Sequence, residues 1–408
     1  MKLKKMIDEL KPGMYVYELD RPWLDTPFPL QGFLVQSPED VEALREHCEF
    51  VYIDPLREQI GDNTSRLRLK PLASLATGKG ERAPIGAVSY ANKRSVEEEL
   101  PKALAVTNGA TEVFNQIRSS IERNKAIDIK GAAMLVESLV DTIVANPDAL
   151  MLILRLRKEA EPAYAHAMFV AANMLAFGRH LGLPKEELSV VGMAGLLLDV
   201  GMIKLPKELL EKKSPLSRAE HALIKRHVQY GEEMLRSSKG ISERVVVILT
   251  EHHERENGSG YPRGVLSKDI SVYGKMAAIV DCYRELAFGG SAGLQASSYD
   301  ALEIMHGWGG KFFHPALLEQ FIQCIGIYPA GSLVELNTGE VAIIVAHNRA
   351  RRMRPRIMII LDPRKQAYPR PVAVDLANDP ISNTGISHEI KRGLDPGMYG
   401  IDPKDYYL

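Results

Sequence analysis

Hydrophobic and polar positions change their period twice along this chain of 408 residues. Up to about residue 60 the apolar positions fall in short runs separated by turn residues. Gly13-Met14-Tyr15-Val16-Tyr17, Gly32-Phe33-Leu34-Val35 and Phe50-Val51-Tyr52-Ile53-Asp54 read as strands. Between the last two, Ser37 to Leu44 predicts a short helix, with Ser37 as N-cap and Pro38 at the first helical position. The segment TGKGERAPIGAVSYANKR, residues 77–94, has glycines, a proline and mixed charge but no period, which predicts an exposed, mobile linker.

From Ser95 the pattern turns helical for some 200 residues. Ser95 followed by Glu98 fits a capping box, and apolar positions recur through Leu100, Leu104, Val113 and Ile117. A second helix is predicted from Asp128 to Ala145, stopped by Asn146-Pro147. Further amphipathic stretches cover 162–182, 187–199, 217–236, 241–256, 271–288 and 298–308. Together they predict an all-α bundle. The last 80 or so residues return to strand text: Ser332 to Leu336, Val341 to Val345 and Arg356 to Leu361, with Asn337-Thr338-Gly339-Glu340 as the turn between the first two. The expected division is a small α+β domain over 1–76, a linker over 77–94, a helical domain over 95–328 and a β-rich appendage over 329–408. The fold class is therefore mainly α.

Composition narrows the function. The 51 basic and 52 acidic residues nearly cancel, which gives no support for a nucleic-acid-binding surface. Cys48, Cys282 and Cys324 lie far apart, so neither a disulfide framework nor a cysteine zinc site is expected, and a reducing compartment fits. The opening MKLKKMIDELKPGMYV has no apolar signal region, and no run of 18 apolar residues occurs. The expectation is a cytoplasmic protein without a membrane partner.

Within the helical stretch, His166, Asp199, His227, the pair His252-His253 and Asp281 are spaced 25 to 33 residues apart, each on its own predicted helix. A bundle that turned them inward would gather imidazoles and carboxylates without thiolates, a donor set suited to Fe, Mn, Zn or Co. A carboxylate can bridge two such cations, and a two-metal site can activate water for phosphoryl displacement. A lone histidine on an amphipathic helix is more often a satisfied core or boundary residue. The adjacent pair is more telling, because neighbours on a helix point about 100° apart.

The segment His252-His253-Glu254-Arg255-Glu256-Asn257-Gly258-Ser259-Gly260-Tyr261-Pro262 resembles the HHExxDGxGYP signature of the HD-GYP family. Ala163-Tyr164-Ala165-His166, Ile203-Lys204-Leu205-Pro206 and Lys225-Arg226-His227 resemble its flanking motifs, so the likeness spans about 160 to 325. Residues 1 to about 60 look like the DUF3391-type domain that often precedes HD-GYP. The resemblance implies an HD-type helical bundle that hydrolyses cyclic di-GMP, by way of pGpG, at a bi- or trinuclear iron or manganese centre. It implies His166, Asp199, His227, His252, His253 and Asp281 as ligands of one or two divalent ions, with Asp199 bridging and Asp199, His252 and His253 at the catalytic heart. Gly258, Gly260, Tyr261 and Pro262 would form the substrate side. The implied partners are cyclic di-GMP or pGpG, a GGDEF-domain or other signalling protein, and a second copy of the chain.

The pattern is broken where the family reads HDxGK. Leu198 stands for the ligand histidine and Met202 for the lysine, and neither offers the lost group. Asn257 stands for Asp in the signature. After Asp281 the family's second Asp and Arg-x-Tyr clamp are missing from Cys282-Tyr283-Arg284-Glu285-Leu286-Ala287-Phe288, and Pro162 stands where trinuclear members carry Glu. All of these are expected to map to the cleft. They predict a degenerate centre, weak or inactive as a hydrolase and acting by nucleotide or partner binding; an active phosphodiesterase is the alternative, and a bare helical scaffold the third. Lys311 to Pro315 reads as structural, and the basic run Arg349 to Arg356 as a solvated turn.

Overall fold

A computed structural model describes residues 3–11, 14–20, 33–35, 38–53, 86–123, 125–156, 162–212, 216–288, 297–348, 354–378, 385–394 and 397–401. The N-terminal unit is a four-stranded antiparallel sheet in the order β1-β4-β2-β3, built from β1 (Leu3–Met6), β2 (Tyr15–Leu19), β3 (Phe33–Leu34) and β4 (Phe50–Ile53). One helix, α1 (Pro38–His47), joins it, and Val16, Leu44, Val51 and Ile53 form its own small core. Ser37, the expected cap, lies outside the described residues.

The bundle begins with α2 (Val96–Glu122), whose Ser95–Glu98 capping box closes in both directions. Then follow α3 (Ile129–Ala145), α4 (Pro147–Leu156), α5 (Pro162–His180) and α6 (Lys185–Leu197). A 3₁₀ turn over Val200–Lys204 leads to α7 (Lys207–Leu210), α8 (Arg218–Lys225), α9 (His227–Ser237) and α10 (Glu243–Glu251). The set ends with α11 (Val272–Phe288), α12 (Ser298–Gly307) and α13 (Pro315–Ile325). One hydrophobic core runs through it, with α5 at its centre. Among the described residues, no helix is long and apolar enough to cross a membrane.

The C-terminal unit is a five-stranded antiparallel sheet ordered β8-β7-β6-β5-β9, from β5 (Leu333–Leu336), β6 (Val341–Ala346), β7 (Arg356–Leu361), β8 (Ala367–Asp375) and β9 (Ile390–Gly393). The predicted turn after β5 is present, with Gly339 at φ +92. The sheet is tied to the bundle. His347 donates its backbone N–H to Asp148 at 2.9 Å and its Nδ1 lies 2.8 Å from the same carboxylate. Arg356 pairs with Glu97 on α2 and Arg354 with Glu389, so this described end of the basic run is committed to ion pairs; residues 349–353 lie outside the described residues.

Three expectations are corrected. The helix predicted over 217–236 is two, broken at Arg226, and the one predicted over 241–256 stops at Glu251. Of the predicted mobile linker, residues 86–94 are exposed but pinned: Gly86 and Val88 donate to Leu181 and Gly182 carbonyls, Lys93 donates to that of Ala145, and the Tyr90 hydroxyl to that of Leu183. Its partners are backbone groups at helix ends, which side-chain periodicity does not register.

One glycine lets the 3₁₀ turn after α6 approach α9. Gly201, two residues past Asp199, packs its backbone onto that helix: a Cβ there would lie 1.9 Å from the His227 carbonyl oxygen and 2.7 Å from the Gly231 nitrogen. Only a hydrogen side chain lets these segments meet, and their meeting brings Asp199 to His227. Gly201→Ala is therefore expected to cost roughly 1–3 kcal/mol, as overpacking does. Gly109→Ala, on α2 with nothing within 4 Å, should stabilise by up to about 1 kcal/mol. Urea unfolding of the two variants beside wild type measures both signs.

Candidate metal centre

Six side chains from five segments meet in the middle of the bundle. His166 is one turn into α5, Asp199 opens the 3₁₀ turn after α6, His227 is the first residue of α9, and Asp281 lies in mid-α11. His252 and His253 form the turn that follows α10, a correction to their expected place on the helix itself.

Asp199 is the shared member. Its Oδ2 lies 2.9 Å from His166 Nε2, and its Oδ1 lies 3.2 Å from His227 Nε2 and 3.5 Å from His252 Nε2. Asp281 reaches His166 Nε2 at 3.3 Å and His253 Nδ1 at 3.8 Å. Two groups result. Asp199, His227, His252 and His253 each offer a ligand atom within 4.8 Å of the others, and so do His166, Asp199 and Asp281.

The helix ends aim the imidazoles. His227 Nδ1 is 2.7 Å from the Ile224 carbonyl, and His252 Nδ1 is 2.5 Å from that of Leu249. A carbonyl only accepts, so each Nδ1 carries the proton and each Nε2 keeps its lone pair. Both histidines sit three residues past a carbonyl at the end of a helix, where such acceptors lack intrahelical partners. The two Nε2 atoms then face each other at 3.4 Å. Lone pairs so placed repel unless a proton or cation stands between them.

The buried atoms fit that cation. His166 Nε2 and Asp199 Oδ1 are fully enclosed and make no hydrogen bond of proper geometry despite their close neighbours. Burial opposes charge on both, yet the carboxylates of Asp199 and Asp281 raise the His166 imidazole well above its ordinary range. Burial likewise opposes charge on Asp199, and His166, His227 and His252 outweigh it and hold the carboxyl well below its ordinary range. Burial, with the neighbouring His252 and His227, drives His253 the other way and keeps it neutral. Protons and a divalent ion compete for these donor atoms, so binding of such an ion displaces protons.

A second layer holds the signature loop. Glu254 is buried, and its carboxylate accepts from the backbone N–H groups of Arg263, Gly264 and Val265 at 2.8, 3.2 and 3.2 Å. Gly260 presses on the histidine turn: a Cβ there would lie 2.5 Å from the His253 carbonyl oxygen. The loop consequently lays Tyr261 on His253, rings stacked at 4.5 Å, and Lys225 Nζ lies 4.8 Å from the centre of the Tyr261 ring. Burial and the charges of Asp281 and Asp199 raise the Tyr261 phenol, which stays an O–H donor. Glu254 belongs to the quoted signature, but its role was not legible there; a glutamate among so many charged neighbours gives no sign that it will be buried.

The departures fall in different places. Leu198 is buried in the bundle core and Met202 is half-buried in the 3₁₀ turn. Lys204 is exposed, its Nζ 3.4 Å from the Ile121 carbonyl at the end of α2. Asn257, expected in the cleft, is an exposed turn residue whose Oδ1 accepts from the Ser259 N–H and hydroxyl. Aspartate would build the same turn, so this exchange is structural. His314 caps α13, as a structural residue would.

Imidazoles and carboxylates gathered by helix ends inside an all-α bundle make this an HD-type domain. The HD domain family matches residues 148–317, the domain of unknown function DUF3391 matches 3–132, and a KOW domain associated with HD domains matches 333–383. A cyclic di-GMP phosphodiesterase of Pseudomonas aeruginosa is 30% identical over 371 residues, covering 91% of this chain and 88% of that protein. A cyclic di-GMP phosphodiesterase response regulator of Xanthomonas campestris is 30% identical over 40% of this chain and 42% of its own length. A 3'3'-cGAMP-specific phosphodiesterase of Vibrio cholerae is 31% identical over 39% of this chain and 31% of its own. The chain belongs to the HD-GYP family of signalling phosphodiesterases, a family that binds divalent metal.

Two outcomes are expected. Titrating Mn²⁺ into chelator-treated protein should release protons, so that affinity rises with pH; calorimetry in buffers of different ionisation enthalpy reads this directly. Glu254→Gln should cost about 1–3 kcal/mol, because a buried acceptor of three N–H groups becomes partly a donor. Thermal melting, together with faster amide exchange at Arg263 to Val265, checks it.

Proposed function

We propose that this chain binds cyclic di-GMP or pGpG at a metal centre of unequal halves and hydrolyses it weakly. The observation that carries this is the split of the donor set around Asp199: four groups on one side and three on the other. Asp199, His227, His252 and His253 are the set that would hold one divalent ion, and His166, Asp199 and Asp281 a second, weaker one. When bound, such ions polarise phosphate and activate water. Loss of orienting groups around a metal typically costs 10–100-fold in affinity or activity, and loss of a ligand no less.

The protein's own groups divide the work. Asp199 holds both halves together, the helix-end carbonyls keep the imidazole tautomers fixed, and Tyr261 offers a hydroxyl on the signature side. Leu198 supplies no ligand, and Met202 supplies no cation where phosphate charge develops, so transition-state stabilisation is reduced. Iron or manganese suits this N/O donor set. Binding of nucleotide with little turnover suits a role in which the loaded protein acts on a signalling partner, such as a GGDEF-domain protein.

The second reading is a fully active phosphodiesterase. It is favoured by the 30% identity to a cyclic di-GMP phosphodiesterase across nearly the whole chain. Turnover separates the two. Protein loaded with Fe or Mn is expected to yield pGpG at a low rate, lost in Asp199→Ala. The double change Leu198→His with Met202→Lys is expected to raise that rate tenfold or more and to add metal per chain. Wild-type turnover as fast as that of the double variant would establish the active reading instead.

A further inference from the structure

We propose that Glu251 and Glu256, the carboxylates on either side of the histidine pair, are positioning residues that clamp the histidine turn to the start of α11 and so set the place of Asp281. The inference rests on the reading of the centre as two unequal halves, and it names what keeps the weaker half in register with the stronger one.

His253 and Asp281 belong to different donor groups, and they face each other at 3.8 Å. His253 lies in the turn after α10, and Asp281 in mid-α11. Their spacing therefore depends on how that turn is fixed to that helix. Glu251, the last residue of α10, makes the first contact and is buried. Its Oε2 accepts from the backbone N–H of Ser271 at 2.9 Å and from the Ser271 hydroxyl at 2.5 Å, just before α11 begins. The Ser271 hydroxyl oxygen accepts in turn from the Gly274 N–H at 3.0 Å, so the carboxylate caps the helix through it. Negative charge at that end also suits the helix dipole. Gly274 makes the room: a Cβ there would lie 2.6 Å from Glu251 Cβ and closer still to Oε2. The other carboxylate oxygen accepts from Arg263 Nη2 at 3.2 Å, on the signature loop just past Pro262.

Glu256 makes the second contact. Its Oε1 lies 3.3 Å from Lys275 Nζ in the first turn of α11, and both side chains are only 12% exposed. The Ser267 hydroxyl bridges the pair, donating to Glu256 Oε2 at 2.6 Å and accepting from Lys275 Nζ at 3.0 Å. Removing one partner of so enclosed a pair leaves a charge uncompensated, which holds the two together. The histidine turn is thus joined to α11 on both sides of His252-His253. At 1.5 Å per residue, Asp281 lies roughly 9 Å along the axis from Lys275 and roughly 15 Å from Ser271. A close-packed interior carries a shift at the start of the helix to that carboxylate. The stronger half has other supports. The carbonyls of Ile224 and Leu249 fix His227 and His252, and Asp199 comes from the 3₁₀ turn after α6. Loosening the clamp displaces Asp281 and spares these.

The test counts ions. Mn²⁺ is titrated into chelator-treated protein and the free ion is read by its electron paramagnetic resonance signal, which gives the number of ions per chain and the affinity of each. Glu251→Ala is expected to weaken the second ion roughly tenfold or more and to leave the first unchanged. Glu251→Gln, which keeps an acceptor for Ser271, is expected to recover part of the loss. Gly274→Ala crowds the same carboxylate from the α11 side, and Glu256→Gln opens the other contact; both are expected to weaken the second ion alone. Ser95→Ala, which removes the N-cap of α2, should lower the melting temperature and keep both ions. Unchanged affinity for the second ion in Glu251→Ala, or an equal fall for both ions, overturns the inference and leaves the two halves standing. One ion or none in wild type removes the reading of two halves and the clamp with it. Should Glu251→Ala misfold, Glu256→Gln decides, since it leaves the cap of α11 in place and still predicts a weaker second ion.

Discussion

The centre depends on one half-buried carboxylate, its Oδ1 enclosed, meeting imidazoles on both its oxygens. Asp199 places Oδ2 against His166 and Oδ1 against His227 and His252. An enclosed aspartate is costly unless opposite charge or a metal compensates it. Here the compensation comes from helices far apart in sequence, so the carboxylate is formed as a site only when the bundle is complete. Because Asp199 belongs to both donor groups, a change there affects both halves, whereas a change at His166 or Asp281 affects chiefly one.

Helix termini supply the precision. An imidazole in mid-helix would have to find a separate group to fix its tautomer. His227 and His252 instead lie just beyond α8 and α10, and reach back to carbonyls three residues earlier. The break at Arg226 and the stop at Glu251 therefore orient ligands as well as turn the chain. Gly201 lets the 3₁₀ turn touch α9, and Glu254 gathers three N–H groups so that the loop after the histidines holds Tyr261 against His253. Apart from the Tyr261–His253 ring stack, these contacts involve backbone on at least one side, which makes the geometry tolerant of surface change and intolerant of an added Cβ.

Much of this was legible in the chain itself, and the exceptions have physical causes. The bundle, both flanking sheets and all six inward groups followed from period, spacing and the signature. The two helix breaks did not, because neither Gly nor Pro marks Arg226 or Glu251. Strand β8 lies beyond the strands predicted above; it contains Pro369 and Pro371, and it is an edge strand, where proline is tolerated. Residues 86–94 looked free because they are held by backbone bonds. Asn257 looked like a site residue because it lies within the signature, yet its side chain is spent on its own turn.

Leu198 and Met202, where the chain departs from the HDxGK pattern, lie in different surroundings. Leu198 is packed in the core, so the bundle gains apolar contact at that position. Met202 is only half-buried and contributes less to that packing. A structural compensation exists for the first and none for the second within that turn.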